Sequence, residues 1–465
     1  MTDKPQQSVA TSWTPGVTAR FVVDAALAFA SMYVAFSFSP SFNARAVAGP
    51  TSHIGQVQGA LLFGLLSAVI AHIFGLHNPL LPRQFWPMLT RCVGSSLLAL
   101  AVLATLVFAV LYSRIGRFIL LQTMVYTPAL MALARVLYWR QAGQRKRRLL
   151  LFGAGGTGQL VKGMVKQSDL PFDVVAFVDH KPELIGQYVG NNTVLGAQNE
   201  LHEHCLDLHV DEVVACVGGK LSDQAMNQLM ECLGLGVRVS HFTNFVERNF
   251  FQVPVEKIGG EWFLHADLEL AHPVYLGVKR GIDIATAACG LVLGGPLVLL
   301  AAIAIRLESR GPVFYSHARA GLHNQPFQIL KLRTMRADAE KEGPRWAGNK
   351  DERITHIGKI LRRTRLDEVP QFWNILRGEM SLVGPRPERP EFVEKLAGEI
   401  PFYNQRHLVK PGLTGWAQIN YPYGASTEDA LNKLKYDLYY VKNASLGLDA
   451  QIILRTIGAA MKGAR

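Results

Sequence analysis

The most chemically loaded stretch of the chain is Arg362-Arg363-Thr364-Arg365-Leu366-Asp367-Glu368-Val369-Pro370, running on into Gln371–Arg377 and Gly378. Adjacent carboxylates among arginines can hold a divalent ion against phosphate oxygens and offer one oxygen as a nucleophile. The same pattern also serves as a helix start. Asp367 would then be the N-cap, Glu368 and Pro370 the first turn, and Gly378 the C′ residue. A helix dipole and four nearby arginines would favour an ionised carboxylate there. Taken alone, an Asp-Glu pair of this kind is usually a cap. Downstream, Met380-Ser381-Leu382-Val383-Gly384-Pro385-Arg386-Pro387 sets a guanidinium between two prolines, a stiff mount for phosphate recognition. Two further blocks follow, Lys410–Asn420 and Tyr436–Asn443.

A second candidate site lies upstream. Leu149–Phe152 reads as a strand, Gly153-Ala154-Gly155-Gly156-Thr157-Gly158 as a turn, and Gln159–Gln167 as a helix. Gly153, Gly155 and Gly158 are spaced as in a dinucleotide-binding loop, and Asp179 ends the next strand where a ribose-binding carboxylate belongs. Strand-like Glu212–Val217, a helix from Ser222 and strand-like Gly236–His241 continue a Rossmann-like α/β alternation. No Tyr-x-x-x-Lys pair follows, so bound NAD or another nucleotide would serve structure or regulation rather than hydride chemistry. His202, His204, Cys205 and His209 suggest a metal site, but His202 and His204 lie about 200° apart on a helix and cannot share an ion. A solvated helix face is the better reading.

These elements sit in an unevenly charged, apolar chain. Of 465 residues 49% are hydrophobic, and 48 Lys+Arg outnumber 36 Asp+Glu. Disordered, collagen-like and ordinary soluble classes are excluded. Five scattered cysteines fit a thiol-reducing compartment better than a disulfide scaffold or zinc ribbon. Residues 1–139 carry 8 basic and 2 acidic side chains, residues 140–278 carry 12 and 16, and residues 279–465 carry 28 and 18. The basic last region must meet nucleic acid, a phospholipid surface or a phosphorylated substrate. Nucleic acid fits poorly, because the basic residues adjoin an apolar segment and lack aromatic-rich binding modules.

Four apolar stretches, Phe21–Phe38, Val57–Leu76, Cys92–Tyr112 and Phe118–Trp139, approach or exceed the ~20 residues needed to cross a bilayer. Asp24 and Arg135 lie near segment ends, where a polar group reaches the interface. The chain start lacks a basic n-region and a cleavage site, so the first stretch reads as an anchor. Arg140 and Arg145–Arg148 follow the fourth stretch, and Arg83 and Arg91 the second. Only Arg45 lies in the first loop, and Arg114 and Arg117 in the third. Both bundle termini are therefore expected inside. A further apolar stretch, Ile282–Ile305, holds Gly294-Gly295-Pro296 near its centre. Full crossing would carry the basic C-terminal region outside. A helix bent at Gly295-Pro296, entering and leaving through one face, avoids that.

Residues 279–465 closely resemble the monotopic phosphoglycosyl transferases. The resemblance runs through Lys279–Asp283, Gly311–Tyr315, Phe327–Met335, Leu366–Glu368, Pro385–Pro387 and Gly415–Gln418. The whole chain is similar to the long subfamily, with four spans and a nucleotide-fold-like domain ahead of the transferase. One departure is that the family's helix break is commonly Ser-Pro, and glycine cannot satisfy the freed carbonyl as serine can. The resemblance implies a multi-pass bacterial inner-membrane protein, α plus α/β. Its parts would be four transmembrane helices over 1–139, a Rossmann-like domain over 145–245 and a linker over 246–278. A mainly α transferase domain over 279–465 would follow, facing the cytoplasm, with a re-entrant helix over 281–306.

The same resemblance implies transfer of hexose-1-phosphate from a UDP-sugar to undecaprenyl phosphate, releasing UMP and starting exopolysaccharide, capsule or O-antigen repeats. Glucose is expected by subfamily habit, with galactose the alternative. Asp367 would be the nucleophile and Glu368 a Mg²⁺ ligand or proton-handling partner, the pair also serving as the metal site. Arg362 and Arg386 would contact phosphate. Lys331 and Arg333 would do so or pair with lipid head groups, and Gln418 and Trp416 would border the site or pack. Inner-membrane lipids are the remaining partner, and a homodimer is open. The rivals are a membrane-anchored nucleotide-sugar dehydratase and a non-enzymatic scaffold.

Overall fold

In the computed structural model, residues 15–38, 51–74, 76–77, 85–111, 117–141, 146–168, 170–196, 201–217, 221–266, 273–336, 339, 352–422, 424 and 426–461 are described. Arg45, Arg83, Arg114 and Arg145, on which part of the orientation expectation rests, lie outside them. The chain divides into two compact units between Phe242 and Thr243.

The first unit opens with α1 (Pro15–Ser37), α2 (Thr51–Ile73), α3 (Phe85–Leu111) and α4 (Arg117–Gln141). Helix α1 packs on α2 and α4, and α3 packs on the same two. They share a core that includes Met32, Phe63, Leu103 and Met131, while leucines and valines such as Leu65, Leu121 and Val125 face outward. Apolar side chains both inside and outside are what a lipid-embedded helix group requires. By length and composition, Thr18–Ser37 and Phe118–Arg140 reach crossing length; in the other two helices the apolar runs among the described residues are Val57–Ile73 and Arg91–Leu106. Asp24 does not reach an interface as expected. It is fully buried, paired with Arg135 through both carboxylate oxygens and with His77 Nε2 at 2.8 Å. A carboxylate buried this fully is tolerated only with such partners.

The rest of this unit is a six-stranded sheet. Its strands are β1 (Arg147–Phe152), β2 (Phe172–Asp179), β3 (Tyr188–Val189), β4 (Asn192–Gly196), β5 (Glu212–Ala215) and β6 (Arg238–His241), in the order β3-β4-β2-β1-β5-β6. All pairings are parallel except β3 with β4. The helices between strands are α5 (Gly156–Gln167), α6 (Leu201–Asp207) and α7 (Asp223–Gly234); Ser222 caps α7 by accepting from the Ala225 N–H at 3.2 Å. The near-continuous apolar strands β1 and β5 are buried, as a parallel sheet covered on both faces demands.

The second unit is built on α8 (Pro273–Glu308). It is followed by the hairpin β7 (Phe314–Ala320) and β8 (Pro326–Leu332), by α9 (His356–Thr364) and by α10 (Gln371–Arg377). The short parallel pair β9 (Ser381–Val383) and β10 (Gly412–Thr414) and the helices α11 (Thr427–Asn443) and α12 (Leu446–Met461) also belong to it. Helix α8 is long and apolar enough to cross a membrane, and it runs as one helix through Gly294-Gly295-Pro296, although Pro296 has no N–H to give to the helical ladder. The glycines have different tasks. A Cβ on Gly290 would meet Phe372 at 2.5 Å and one on Gly294 would meet Val369 at 2.7 Å, whereas Gly295 has open space. Gly290 and Gly294, four apart on one helix face, therefore admit the segment carrying the carboxylate pair. The sequence reading gave Gly294 a bending role only.

Candidate active site

Asp367 and Glu368 belong to a 3-10 turn, Leu366–Glu368, and α10 begins only at Gln371. Asp367 is thus not the N-cap of α10, because Pro370 occupies that place. The turn is set by Arg365, whose φ of 58° ends α9 in the left-handed region. Few non-glycine residues adopt that conformation, and strain of this kind gathers at functional sites. Gly378, with φ 82°, closes α10 as expected.

The two carboxylates have unlike surroundings. Glu368 Oε1 accepts from Lys331 Nζ at 3.0 Å and from Arg386 Nη2 at 2.9 Å, and Oε2 lies 3.6 Å from Arg365 Nη1. Burial alone would raise its pKa, but Arg386, Lys331 and Arg365 together hold the carboxyl well below the usual range. Asp367 is buried, and its Oδ1 has no hydrogen-bond partner. Burial, then the adjacent Glu368 charge, pushes its pKa up against Lys331, Arg362 and Arg365. At Glu368 the arginines and Lys331 outweigh burial, whereas at Asp367 burial and the Glu368 charge outweigh them. Burial lowers the Lys331 pKa even beside Glu368.

The other expected residues divide between this cluster and more distant tasks. Lys331, Arg386 and, through its charge, Arg362 belong to the cluster. Arg362 Nε donates to Thr334 Oγ1 at 2.9 Å. Arg333 is buried and donates to the carbonyls of Ser309 and Arg310 at 2.8 and 3.0 Å, securing the chain just beyond the C-terminal end of α8. Gln418 donates to the Leu413 carbonyl at 3.3 Å and braces its own loop, while Trp416 Nε1 donates to the Phe251 carbonyl at 2.9 Å and ties its segment to a distant part of the chain.

Several positioning residues carry no motif that sequence reasoning singled out for the purpose. Asn374 accepts from the Leu330 N–H at 3.0 Å and donates to the Gln328 carbonyl at 2.7 Å, tying α10 to β8 beside Lys331. Arg280 donates to the Ile375 and Leu376 carbonyls at 2.6 and 2.7 Å, satisfying the C-terminal end of α10. Asp283 accepts from Ser381 Oγ and the Leu382 N–H, and Lys279 and Tyr440 donate to the Val383 carbonyl. Strand β9 leads directly into Pro385-Arg386-Pro387, so the polar start of α8 orients both halves of the site. The Lys279–Asp283 block was visible as a pattern, but its partners lie about a hundred residues away.

Among the described residues no group of three or more His, Cys, Asp and Glu stands together. Mg²⁺ binds through one or two carboxylates plus phosphate and water oxygens. The orphaned Asp367 Oδ1 fits that role, whereas the Glu368 oxygens already face three cations. In the first unit, Gly153 has φ 113° and a Cβ on Gly158 would strike the Gly153 backbone, so the turn needs both. Asp179 Oδ2 accepts from the Ala154 N–H of that turn at 2.8 Å. His204 accompanies the Gly196 carbonyl, His202 faces Glu231, and Cys205 is buried 3.6 Å from Cys232 rather than lying on a solvated face.

An unpartnered buried carboxylate beside a cation-held one, on a unit with a long apolar helix, suits phosphoryl transfer near a membrane. Comparison with known proteins agrees. The family description Bacterial sugar transferase matches residues 274–463, and CoA-binding domain matches residues 72–240. A UDP-N-acetylgalactosamine-undecaprenyl-phosphate N-acetylgalactosaminephosphotransferase of Aeromonas hydrophila is 45% identical over 194 residues, 42% of this chain and 46% of that one. A UDP-glucose:undecaprenyl-phosphate glucose-1-phosphate transferase of Caulobacter vibrioides is 43% identical over 181 residues, 38% of this chain and 68% of that one. A protein of the same description from Klebsiella pneumoniae is 30% identical over 336 residues, 72% of this chain and 71% of that one. The chain belongs to the bacterial sugar transferase family. The match spans less than half the length of the Aeromonas relative.

Proposed function

We propose that this protein moves hexose-1-phosphate, with glucose-1-phosphate expected first, from a UDP-sugar to undecaprenyl phosphate in two displacements. The observation that carries the reading is the buried Asp367 Oδ1 without a partner, beside a Glu368 fully engaged by cations. In the first displacement an Asp367 oxygen attacks the β-phosphorus. A bond forms between that oxygen and phosphorus, the bond to the bridging oxygen breaks, and UMP leaves with the electron pair. In the second, an oxygen of polyprenyl phosphate attacks the same phosphorus and the carboxylate leaves. The anomeric bond is untouched, and kinetics are ping-pong. Glu368 stays ionised and holds Lys331 and Arg386 toward the phosphates. Mg²⁺, held by Asp367 Oδ1 together with substrate oxygens, would offset pyrophosphate charge and help UMP leave.

The unit is proposed to sit on the cytoplasmic face of the bacterial inner membrane, with α8 entering and leaving through one leaflet and α1–α4 as a multi-pass anchor. Support comes from where α8 is gripped. Lys279, Arg280 and Asp283 bind this unit near one end, Gly290 and Gly294 receive Phe372 and Val369, and Ala301 and Ile305 pack with Leu332 and Leu361. Glu308 accepts from the His356 and Ile357 N–H groups at the other end. From Asp283 to Glu308 is roughly 37 Å of helix at 1.5 Å per residue, longer than a hydrocarbon core of about 30 Å. A straight crossing would put these two ends on opposite sides of the bilayer, yet one compact unit binds both.

Asp367→Asn should abolish labelling of the protein by a UDP-sugar carrying label in the sugar phosphate, and persistent labelling would refute the nucleophile. UMP release across UDP-glucose, UDP-galactose and UDP-N-acetylgalactosamine identifies the donor, with UDP-glucose expected to lead.

A further inference from the structure

The peptide Pro385-Arg386-Pro387 has an unusual anchoring problem. Proline has no N–H, so a segment with proline on both sides of Arg386 can be fixed mainly through its carbonyls. All three carbonyls are held. That of Pro385 accepts from the Gly412 N–H at 2.9 Å, and that of Pro387 from Arg319 Nη1 at 2.9 Å. The carbonyl of Arg386 itself accepts from Arg406 Nη2 at 3.0 Å. Arg406 is buried, lies 2.7 Å from Asp437 Oδ2 and donates through Nη1 to Tyr403 Oη at 2.7 Å. Burying a guanidinium and a carboxylate together is costly, and a buried pair alone is weak evidence for a gain in stability. Here the guanidinium also holds the carbonyl of the very residue whose side chain reaches Glu368.

We propose that Arg406 is a positioning residue for the transfer reaction, held by Asp437 and Tyr403. By gripping the Arg386 carbonyl it aims the Arg386 guanidinium at Glu368 and at the phosphates beside Asp367. The proposal rests on the function proposed above. It separates Arg406 from residues that merely stabilise the unit, because its whole effect on the reaction passes through one other side chain. Only the arginine fork can serve Tyr403, Asp437 and the carbonyl together, since lysine presents a single nitrogen.

The test is a double-mutant cycle on the full-length protein in membranes, read as single-turnover phosphosugar labelling and as UMP release. Arg406→Lys should lower kcat about tenfold with KM for UDP-sugar within about twofold, the split for an interaction that matters in the transition state. Tyr403→Phe, which keeps the packing, should lower it by a smaller factor, and it serves if Arg406→Lys fails to fold. In an Arg386→Gln background neither substitution should cost anything further, because coupled residues are non-additive. Equal proportional losses in both backgrounds, or no loss in either, would overturn the proposal. Failure of the underlying function is distinguishable, since the wild-type protein would then release no UMP at all, and the proposal would fall with it.

Discussion

Replacing Glu368 by glutamine keeps the side chain's shape and one acceptor but removes the charge that Lys331 and Arg386 share at 3.0 and 2.9 Å. Each contact is worth on the order of 5 kcal/mol of attraction at an effective dielectric near 20, and burial offsets much of it. Breaking one side of a buried pair costs roughly 3–5 kcal/mol. Arg386 is one-third exposed, which argues for the lower end, about 3 kcal/mol. For a unit of about two hundred residues that is a fall in melting temperature of roughly 6–12 °C. The pH dependence adds a sign. Glu368 ionises well below the ordinary carboxylate range when folded, so its contribution is complete above the unfolded value of about 4.3. It is lost as pH falls toward the folded value. The wild-type minus Glu368→Gln difference should hold at neutral pH and shrink below about 4.5. Asp437, which burial raises to about 6, titrates in the opposite sense but is present in both proteins and cancels. Removing the like charge should also lower the Asp367 pKa, moving the acid limb of any residual labelling to lower pH. Thermal unfolding in nanodiscs across this range is the assay. A melting difference under about 2 °C, or one unchanged down to pH 3.5, would refute the assignment of Glu368 as the charge that holds the site together.

Two other outcomes are expected. Asp24→Asn leaves Arg135 without its carboxylate inside the helix group and should cost roughly 3–5 kcal/mol, measured as loss of membrane-inserted protein and of its melting temperature. Lys395, 68% exposed on the helix Pro390–Glu399, is a site for topology. Lys395→Cys in a Cys289→Ser background should react with an impermeant maleimide only after permeabilisation, and reaction in intact cells would contradict a cytoplasmic unit.

What the sequence could convey follows from how local each cause is. Strands β1 and β5, the Gly153–Gly158 turn and the Gly378 cap each rest on a few neighbouring residues, and they were readable because backbone sterics and apolar runs act within that range. The hairpin of β3 and β4 does carry a turn dipeptide, Gly190-Asn191 with Gly190 at φ 61°, but β3 is only two residues long, so no apolar alternation flanks the turn to mark it as a hairpin. Asp367 was misread for a related reason. Its sequence pattern is that of an N-cap, but Arg365 adopts a left-handed conformation that inserts a 3-10 turn before α10, and no local propensity predicts an arginine there. That displacement has chemical consequences. A capping aspartate would have spent an oxygen on backbone N–H groups at the helix start, whereas the turn leaves Asp367 Oδ1 buried and unpartnered. The charge pattern around it was equally deceptive along the chain. Arg362, Arg363 and Arg365 crowd Asp367 in sequence, yet the closest cations of the site, Lys331 and Arg386, come from opposite directions and converge on Glu368. Neighbours in sequence set which groups are available; the glycine face of α8 and the carbonyl grips on β9 and Pro385-Arg386-Pro387 decide which carboxylate they neutralise and which they leave poised.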